Sequence, residues 1–276
     1  MQHINASIVL YNSPRDYLKK SIHSLLNTDL KVKLYLIDNS INSNLDDIVH
    51  IDDNRIEYIF NDANLGYGKA HNIALQKSIE DGIPYHVVLN PDVYFKNGVL
   101  EELYTFMDKN KDVGLVMPRV VYPDGSLQYL CKLLPTPMDL ILRRFIPFKR
   151  WVEKRNEIYE LRFTGYNTIM DVPCLSGCFM FLRTDVLKKT GLFDERFFMY
   201  LEDTDLCRRI NNVYKTVFYP YVSIYHNYDK GSYSNKELLS YHIKSAVQYF
   251  NKWGWFFDKY RSEKNSITIE HIKMMP

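Results

Sequence analysis

Residues 64–92 read NLGYGKAHNIALQKSIEDGIPYHVVLNPD, and they decide the fold. Gly66 and Gly68 open the stretch, and Ala70, Ile73, Ala74, Lys77 and Ile79 follow near helical spacing. That pattern predicts an amphipathic helix over 64–82. YHVVLNPD (85–92) is a short apolar run that predicts a buried strand ending on Asp92. Upstream, ASIVLYN (6–12) is a strand, and Pro14 opens a helix through Leu26. VKLYLIDNS (32–40) is a second strand ending on Asp38, and RIEYIF (55–60) is a third. Downstream, NGVLEELYTFMDKN (97–110) is a helix with Asn97 as its N-cap. Strands alternating with helices imply βαβ units. The expected fold is therefore α/β, with a Rossmann-like, mostly parallel central sheet flanked by helices.

After VGLVMPRVVYPDG (113–125) the regularity fades. Residues 126–170 carry Pro135, Pro137 and Pro147 and the basic aromatic run LILRRFIPFKRWVEKR (140–155). Arg143, Arg144, Lys149, Arg150, Lys154 and Arg155 alternate there with Phe145, Phe148 and Trp151. Such a segment suits an anionic membrane surface, and it equally suits a solvated basic helix with its apolar face on the core. A strand and a short helix return over 171–191. FMYLEDTDLCRR (198–209) then opens a helix through Asn211, KTVFYPYVSIYHN (215–227) is a strand ending on His226, and 235–262 reads as one long helix. No internal repeat or interdomain linker interrupts the chain, so residues 1–276 read as one domain.

Composition narrows the function classes. The chain has 276 residues, 46% hydrophobic and 25% charged, enough for a sizeable core. A formal net charge of +2 argues against a nucleic-acid binder. The 22 tyrosines and 15 phenylalanines can line a sugar-binding or interfacial surface, or reflect compositional habit. Cys131, Cys174, Cys178 and Cys207 form no C-x-x-C pair, so reduced thiols and a cytoplasmic setting are expected. MQHINASIVLYN has no basic n-region and long apolar h-region, which reads as no secretory signal. No run approaches eighteen apolar residues, so no transmembrane helix is expected.

Ligands of open α/β sheets bind beyond the carboxyl ends of the strands, where Asp38 and Asp92 fall. Each is either a ligand-binding carboxylate or a turn and capping aspartate. There is no P-loop, and Gly66 and Gly68 supply only half of a G-x-G-x-x-G pattern. A bound pyrophosphate would need another counter-charge, such as Mg²⁺ or Mn²⁺ held by Asp92 and His226. Glu202, Asp203 and Asp205 crowd one stretch. They read either as acidic residues at a helix start or as a proton acceptor held in a cleft.

The ordered set SIVLYN, LIDNS, NLGYGKAHN, VVLNPDV, LSGCFMFLR, GLFDERFFMYLEDTDLCRR and YHNYDKGS resembles the family 2 glycosyltransferases, and within them the bacterial rhamnosyltransferase-like branch. The resemblance spans residues 6–232 and implies a GT-A fold. It implies a nucleotide-sugar-binding half over 1–125, and an acceptor-side half with a helical C-terminal region over 126–276. It assigns Asn12, Asp38, Asn64, Gly66, Asn72 and Asp92 to the nucleotide-sugar pocket, Asp38 reading the base. NPD stands where the family has D-x-D, so Asp92 matches the metal-binding aspartate while Asn90 departs from the pattern. His226 matches the histidine that completes the Mn²⁺ or Mg²⁺ and diphosphate site. Gly177 falls on the acceptor side, Asp203 matches the catalytic base, and Glu202 stands beside it.

The implied activity is inverting, metal-dependent transfer of a sugar from a dTDP- or UDP-sugar donor. The branch implies rhamnose from dTDP-rhamnose and a lipid-linked or growing cell-surface glycan as acceptor. That acceptor gives the basic segment a reason to lie on the inner leaflet, as a peripheral protein of the cytoplasmic face. A UDP-hexose or galactofuranose transferase and a non-catalytic sugar-nucleotide or glycan-binding module are the alternatives. The joint presence of Asp38, Asp92, Asp203 and His226 favours an enzyme. A nucleotidyltransferase would want a basic glycine-rich N-terminal loop, and LYNSPRDYL offers only Arg15.

Overall fold

The computed structural model describes residues 2–42, 53–141, 148–228 and 235–274. β1 (His3–Leu10), β2 (Lys31–Asp38), β3 (Ile56–Phe60) and β4 (Tyr85–Leu89) form the parallel part of one sheet, in the order β3-β2-β1-β4. Helices α1 (Arg15–Leu26) and α2 (Tyr67–Glu80) pack on it. Alternation along β1 and β2 sorts the side chains between two clusters. Ile8, Leu10, Leu34 and Leu36 share one with Leu18, Ile22 and Leu25 of α1. Val9, Tyr35 and Ile37 share the other with Ala70 and Ala74 of α2. Both faces of β1 and of the end of β2 are therefore buried, as in parallel strands under helices.

Beyond β4 the sheet becomes mixed. β8 (Phe179–Arg183) runs antiparallel to β4 and to β6 (Val113–Val121). β9 (Lys215–His226) lies parallel to β6, and both β5 (Val93–Phe95) and β7 (Met170–Asp171) pair antiparallel with β9. Among the described residues nine strands make one sheet, ordered β3-β2-β1-β4-β8-β6-β9-β5 with β7 on β9. Among the described residues the remaining α-helices are α3 (Val99–Lys109), α4 (Pro137–Leu140), α5 (Lys149–Tyr159), α6 (Thr184–Thr190), α7 (Glu202–Asn211), α8 (Lys236–Trp253) and α9 (Lys259–Lys273).

Several boundaries correct the sequence reading. Gly98, not Asn97, caps α3, because the cap has φ 93°, which glycine reaches without a Cβ clash. β4 stops at Leu89, and the Val93 N–H donates to the Asn90 carbonyl (3.2 Å), so Asp92 sits in a turn rather than on a strand end. The helix read over 235–262 is two. Gly254 at φ 102° ends α8, and the Asp258 side chain caps α9 by accepting from the Arg261 N–H. Residues 126–170 are more regular than read. A capping box between Thr136 and Asp139 starts α4, and Arg155 of α5 donates to Asp139 at 2.6 and 3.0 Å.

Arg143, Arg144 and Phe145 of the basic segment lie outside the described residues. Phe148 is 73% and Trp151 41% exposed, beside exposed Lys149, Arg150 and Lys154. Among the described residues no helix is long and apolar enough to cross a membrane. All four cysteines are buried free thiols.

Candidate active site

The carboxyl ends of β1, β2 and β3 lie side by side, with Leu10 opposite Asp38 and Asp38 opposite Phe60. Asp38 is fully buried. One carboxylate oxygen accepts from the Ser40 N–H (2.8 Å) and the other from the Tyr58 hydroxyl (2.6 Å). Next to it the Asn39 amide donates to the Gly66 carbonyl (3.0 Å) and accepts from Asn61 (2.9 Å). Asn12 is exposed at φ 48°, and its N–H donates to the Ser40 hydroxyl (3.0 Å).

Gly66 stands before α2 at φ 83°. A Cβ there would lie 2.3 Å from the Phe198 carbonyl, which also accepts from the Tyr67 N–H (2.9 Å). Glycine at this position lets the start of α2 touch the loop that leads into the acidic motif. Asn64 accepts from the Gly66 N–H (3.1 Å), an Asx turn that shapes the approach. Asn72 uses its amide on a loop instead of facing a cleft. It accepts from the Phe193 N–H (3.0 Å) and donates to the Phe193 carbonyl (2.9 Å).

Residues 177 and 178 join the parts. The Gly177 N–H donates to Asp203 Oδ2 (2.8 Å), and the Tyr67 hydroxyl donates to the Gly177 carbonyl (2.7 Å). The Cys178 carbonyl accepts from the Asn90 N–H (2.9 Å), within the turn that carries Asp92. One two-residue segment thus ties the start of α2, the NPD turn and the acidic motif together.

The acidic motif divides three ways. Asp203 is half-buried, and its Oδ1 also accepts from the Thr204 N–H (2.6 Å). Two backbone N–H groups therefore orient this carboxylate; the Thr204 hydroxyl also donates to Oδ1 (3.3 Å), and Oδ2 keeps a further lone pair. Glu202 is 5% exposed, and its Oε2 has no hydrogen-bond partner. Burial first, and then the Asp203 charge, push its pKa well above the usual carboxylate range. The side chain that the resemblance sets beside Asp203 is turned inward, where burial disfavours its charged form. Asp205 is fully buried, accepting from Arg209 Nε (2.8 Å) and Trp253 Nε1 (2.8 Å) and meeting Lys252 Nζ (2.6 Å). It clamps α7 to α8. Tyr200 and Leu201 adopt positive φ just before α7. Phe197 and Leu201 pack with Leu140, Tyr249 and Phe250, which holds that strained turn in place.

β5–β9 register sets Val93 opposite His226, bringing Asp92 alongside the histidine. His226 Nε2 lies 3.6 Å from Asp92 Oδ1. The ring is 4% exposed, and burial lowers its pKa to about 4, so near neutral pH the contact is not an ion pair. Nε2 is buried with no hydrogen-bond partner. A nitrogen lone pair facing a carboxylate oxygen at this spacing fits a divalent cation, whose cis ligands lie about 3 Å apart at bond lengths of about 2.1 Å. Among the described residues no group of three His, Cys, Asp or Glu gathers to hold a metal. The two-ligand set suits a cation that keeps waters and takes substrate phosphates.

The glycosyl transferase family 2 profile matches residues 6–191. The chain belongs to this family. It is 27% identical over 252 residues to the N-acetylglucosaminyl-diphospho-decaprenol L-rhamnosyltransferase of Mycobacterium tuberculosis, covering 85% of this chain and 80% of that protein. It is 25% identical over 251 residues to the rhamnosyltransferase WbbL of Escherichia coli K12, covering 88% and 90%. Its fold is similar to that of GalNAc-T7, solved with UDP, GalNAc and Mn²⁺, at a TM-score of 0.62 and 14% identity. That likeness covers 91% of this chain and half of the other. A 1–349 piece of S. aureus TarS is similar at a TM-score of 0.58 and 16% identity, covering 97% and 69%. The fold is GT-A.

Within this family 2 glycosyltransferase, three residues escape a reading of the sequence. Tyr58, on an unremarkable strand, holds Asp38; Tyr67, one more tyrosine of 22, holds Gly177. Gln128 lies in the segment read as irregular, yet it is 3% exposed and bonded to His226. None carries a local sequence signal, because each acts on a partner distant in the chain.

Proposed function

We propose that the protein is an inverting, metal-dependent glycosyltransferase that moves rhamnose from dTDP-rhamnose to a lipid-linked or growing cell-surface glycan. The observation that carries it is the 177–178 segment, which ties the Asp203 carboxylate to the turn bearing Asp92. Asp38, Asn12, Asn64 and Gly66 line the nucleotide side at the carboxyl edge of β1–β3, and Asn72 positions the Phe193 loop beside it. The acceptor side is built from 126–276 and includes Gly177. Asp203 takes the proton of the acceptor hydroxyl as that oxygen attacks the anomeric carbon. Its two N–H donors fix the direction of the carboxylate. Glu202 lies buried behind it, where its charged form is disfavoured. Asp92 and His226 would hold Mn²⁺ or Mg²⁺, which supplies positive charge that stabilises the departing diphosphate. A single displacement inverts the anomeric centre.

The similarity to the two rhamnosyltransferases supports a rhamnosyl donor and a lipid-linked acceptor, and a donor panel sets dTDP-rhamnose against UDP-hexoses and UDP-galactofuranose. Thermal stabilisation with Mn²⁺ and turnover should both be largest for the true donor. Asp203→Asn should lower turnover by about 10²- to 10⁴-fold while leaving donor-induced stabilisation intact. Turnover near the wild-type rate would remove Asp203 as the base. Binding of donors without transfer to any glycan acceptor would favour the binding-module reading.

A further inference from the structure

We infer that Gln128 is a positioning residue that sets the tautomer of His226, so that the Nε2 lone pair faces Asp92. The inference rests on the metal reading above and extends it to a residue that touches neither substrate nor cation.

The placement begins with a tight turn. The Gly125 N–H donates to the Tyr122 carbonyl (2.9 Å), the Tyr122 N–H donates to the Ser126 carbonyl (2.8 Å), and Gly125 takes φ 86°. YPDGS thus reverses the chain at the end of β6, and Val121 bridges Leu127 antiparallel. The Gln128 N–H then donates to the Val120 carbonyl (2.9 Å), pinning the residue beside β6. β9 is the neighbour of β6, with Val120 opposite Ile224 and Val121 opposite Tyr225. His226 follows at the end of β9, within reach of the Gln128 side chain.

Two contacts then determine where the ring proton sits. Gln128 Nε2 donates to the His226 carbonyl oxygen (2.8 Å). A carbonyl only accepts, so the amide end facing it is the NH₂. The other end is therefore Oε1, and it lies 2.9 Å from His226 Nδ1. Oε1 also only accepts, so in the neutral ring Nδ1 carries the proton and Nε2 carries the lone pair. Asp92 favours the opposite tautomer, but its Oδ1 lies 3.6 Å from Nε2, beyond hydrogen-bond range. The 2.9 Å contact outweighs it. Ligating histidines are commonly oriented by an acceptor on the far nitrogen, and a glutamine amide does so here without adding a buried charge.

The test uses the full chain labelled with ¹⁵N-histidine. Long-range ¹H–¹⁵N correlation at neutral pH should show His226 protonated on Nδ1. In Gln128→Leu the ring should shift towards the Nε2–H form, and Mn²⁺ affinity should fall about 10- to 100-fold. Affinity is read by electron paramagnetic resonance with Mn²⁺ alone and with dTDP or UDP. Gln128→Glu keeps an acceptor opposite Nδ1 and should retain the tautomer and most of the affinity. His226→Ala should weaken Mn²⁺ binding, and adding Gln128→Leu to it should have no further effect. A wild-type ring protonated on Nε2 overturns the inference, and so does an equal loss from Gln128→Leu with or without His226. If Gln128→Leu does not fold, the wild-type spectrum and Gln128→Glu still decide. Unchanged Mn²⁺ affinity in His226→Ala would overturn the metal reading itself, and the inference with it.

Discussion

Burial separates Glu202 from Asp203, although the two share the first turn of α7. A helix N-terminus favours negative charge by up to about 1 kcal/mol at exposed sites. Desolvation of a carboxylate with an unpartnered oxygen is larger and opposite, so burial disfavours the charged form of Glu202. Glu202→Gln keeps the shape of the neutral acid. It should retain transferase activity within about tenfold, where Asp203→Asn loses far more. The sign of its pH effect follows from the raised pKa. Glu202 adds no penalty below the unfolded value and costs stability as pH rises towards its folded value. The Gln variant should therefore gain stability over wild type as pH rises above the ordinary carboxylate value, read from urea midpoints. A pH-independent difference would mean that Glu202 is ionised throughout. The acidic crowding is legible in the sequence as a site. Which carboxylate faces outward is not, because burial depends on Gly68 and Phe193 from distant segments.

Helices α7 and α8 meet through Asp205, an element-scale contact between residues about fifty apart in sequence. Its carboxylate is fully enclosed by Arg209, Lys252 and the Trp253 indole. Removing one side of a buried ion pair leaves the other charge uncompensated, which typically costs about 3–5 kcal/mol. Asp205→Ala should destabilise the protein by less than that in urea unfolding, about 1–3 kcal/mol, because Lys252 keeps Asp194 and Arg209 keeps the Thr190 and Leu192 carbonyls. A loss under about 1 kcal/mol would place the contact among surface ion pairs. The Asp205–Arg209 half of this clamp is legible from its i, i+4 spacing. The half reaching α8 is not. The break at Gly254 is of the same kind. A lone glycine in a helical pattern is ambiguous until Asp258 caps the next helix.

At the scale of the whole molecule, the sheet encloses His71 and His86, both fully buried and joined through the Ser7 hydroxyl at 2.7 and 2.8 Å. Burial moves His86 to about 3 and His71 well below its ordinary value. Folded rings stay neutral while unfolded ones take up protons below about pH 6.5, so this stability is present above that pH and is lost towards pH 3. Each ring contributes a slope of up to about 1.4 kcal/mol per pH unit in that window. In the Glu202→Gln background, which removes an opposing contribution, the urea midpoint should fall between pH 7 and pH 5. Equal midpoints would contradict neutral buried rings. The exposed Phe148, Trp151, Lys149, Arg150 and Lys154 form the described part of the surface proposed to meet the inner leaflet. The protein should bind anionic liposomes in low salt and release them as the Debye length shrinks below about 10 Å above 0.1 M salt. Equal partitioning onto neutral vesicles would count against that role. By itself the sequence determined the βαβ alternation and the glycine-led start of α2, because periodicity and turn chemistry are local, and its resemblance to family 2 marked Asp38, Asp92, Asp203 and His226 as candidate site residues. Only the tertiary structure decided that the sheet turns mixed beyond β4, that residues 177–178 join Asp203 to the NPD turn, that Glu202 points inward, and that Gln128 reaches His226. Those outcomes depend on strand order and on which side chains lose water, and both are set by segments far apart in the chain.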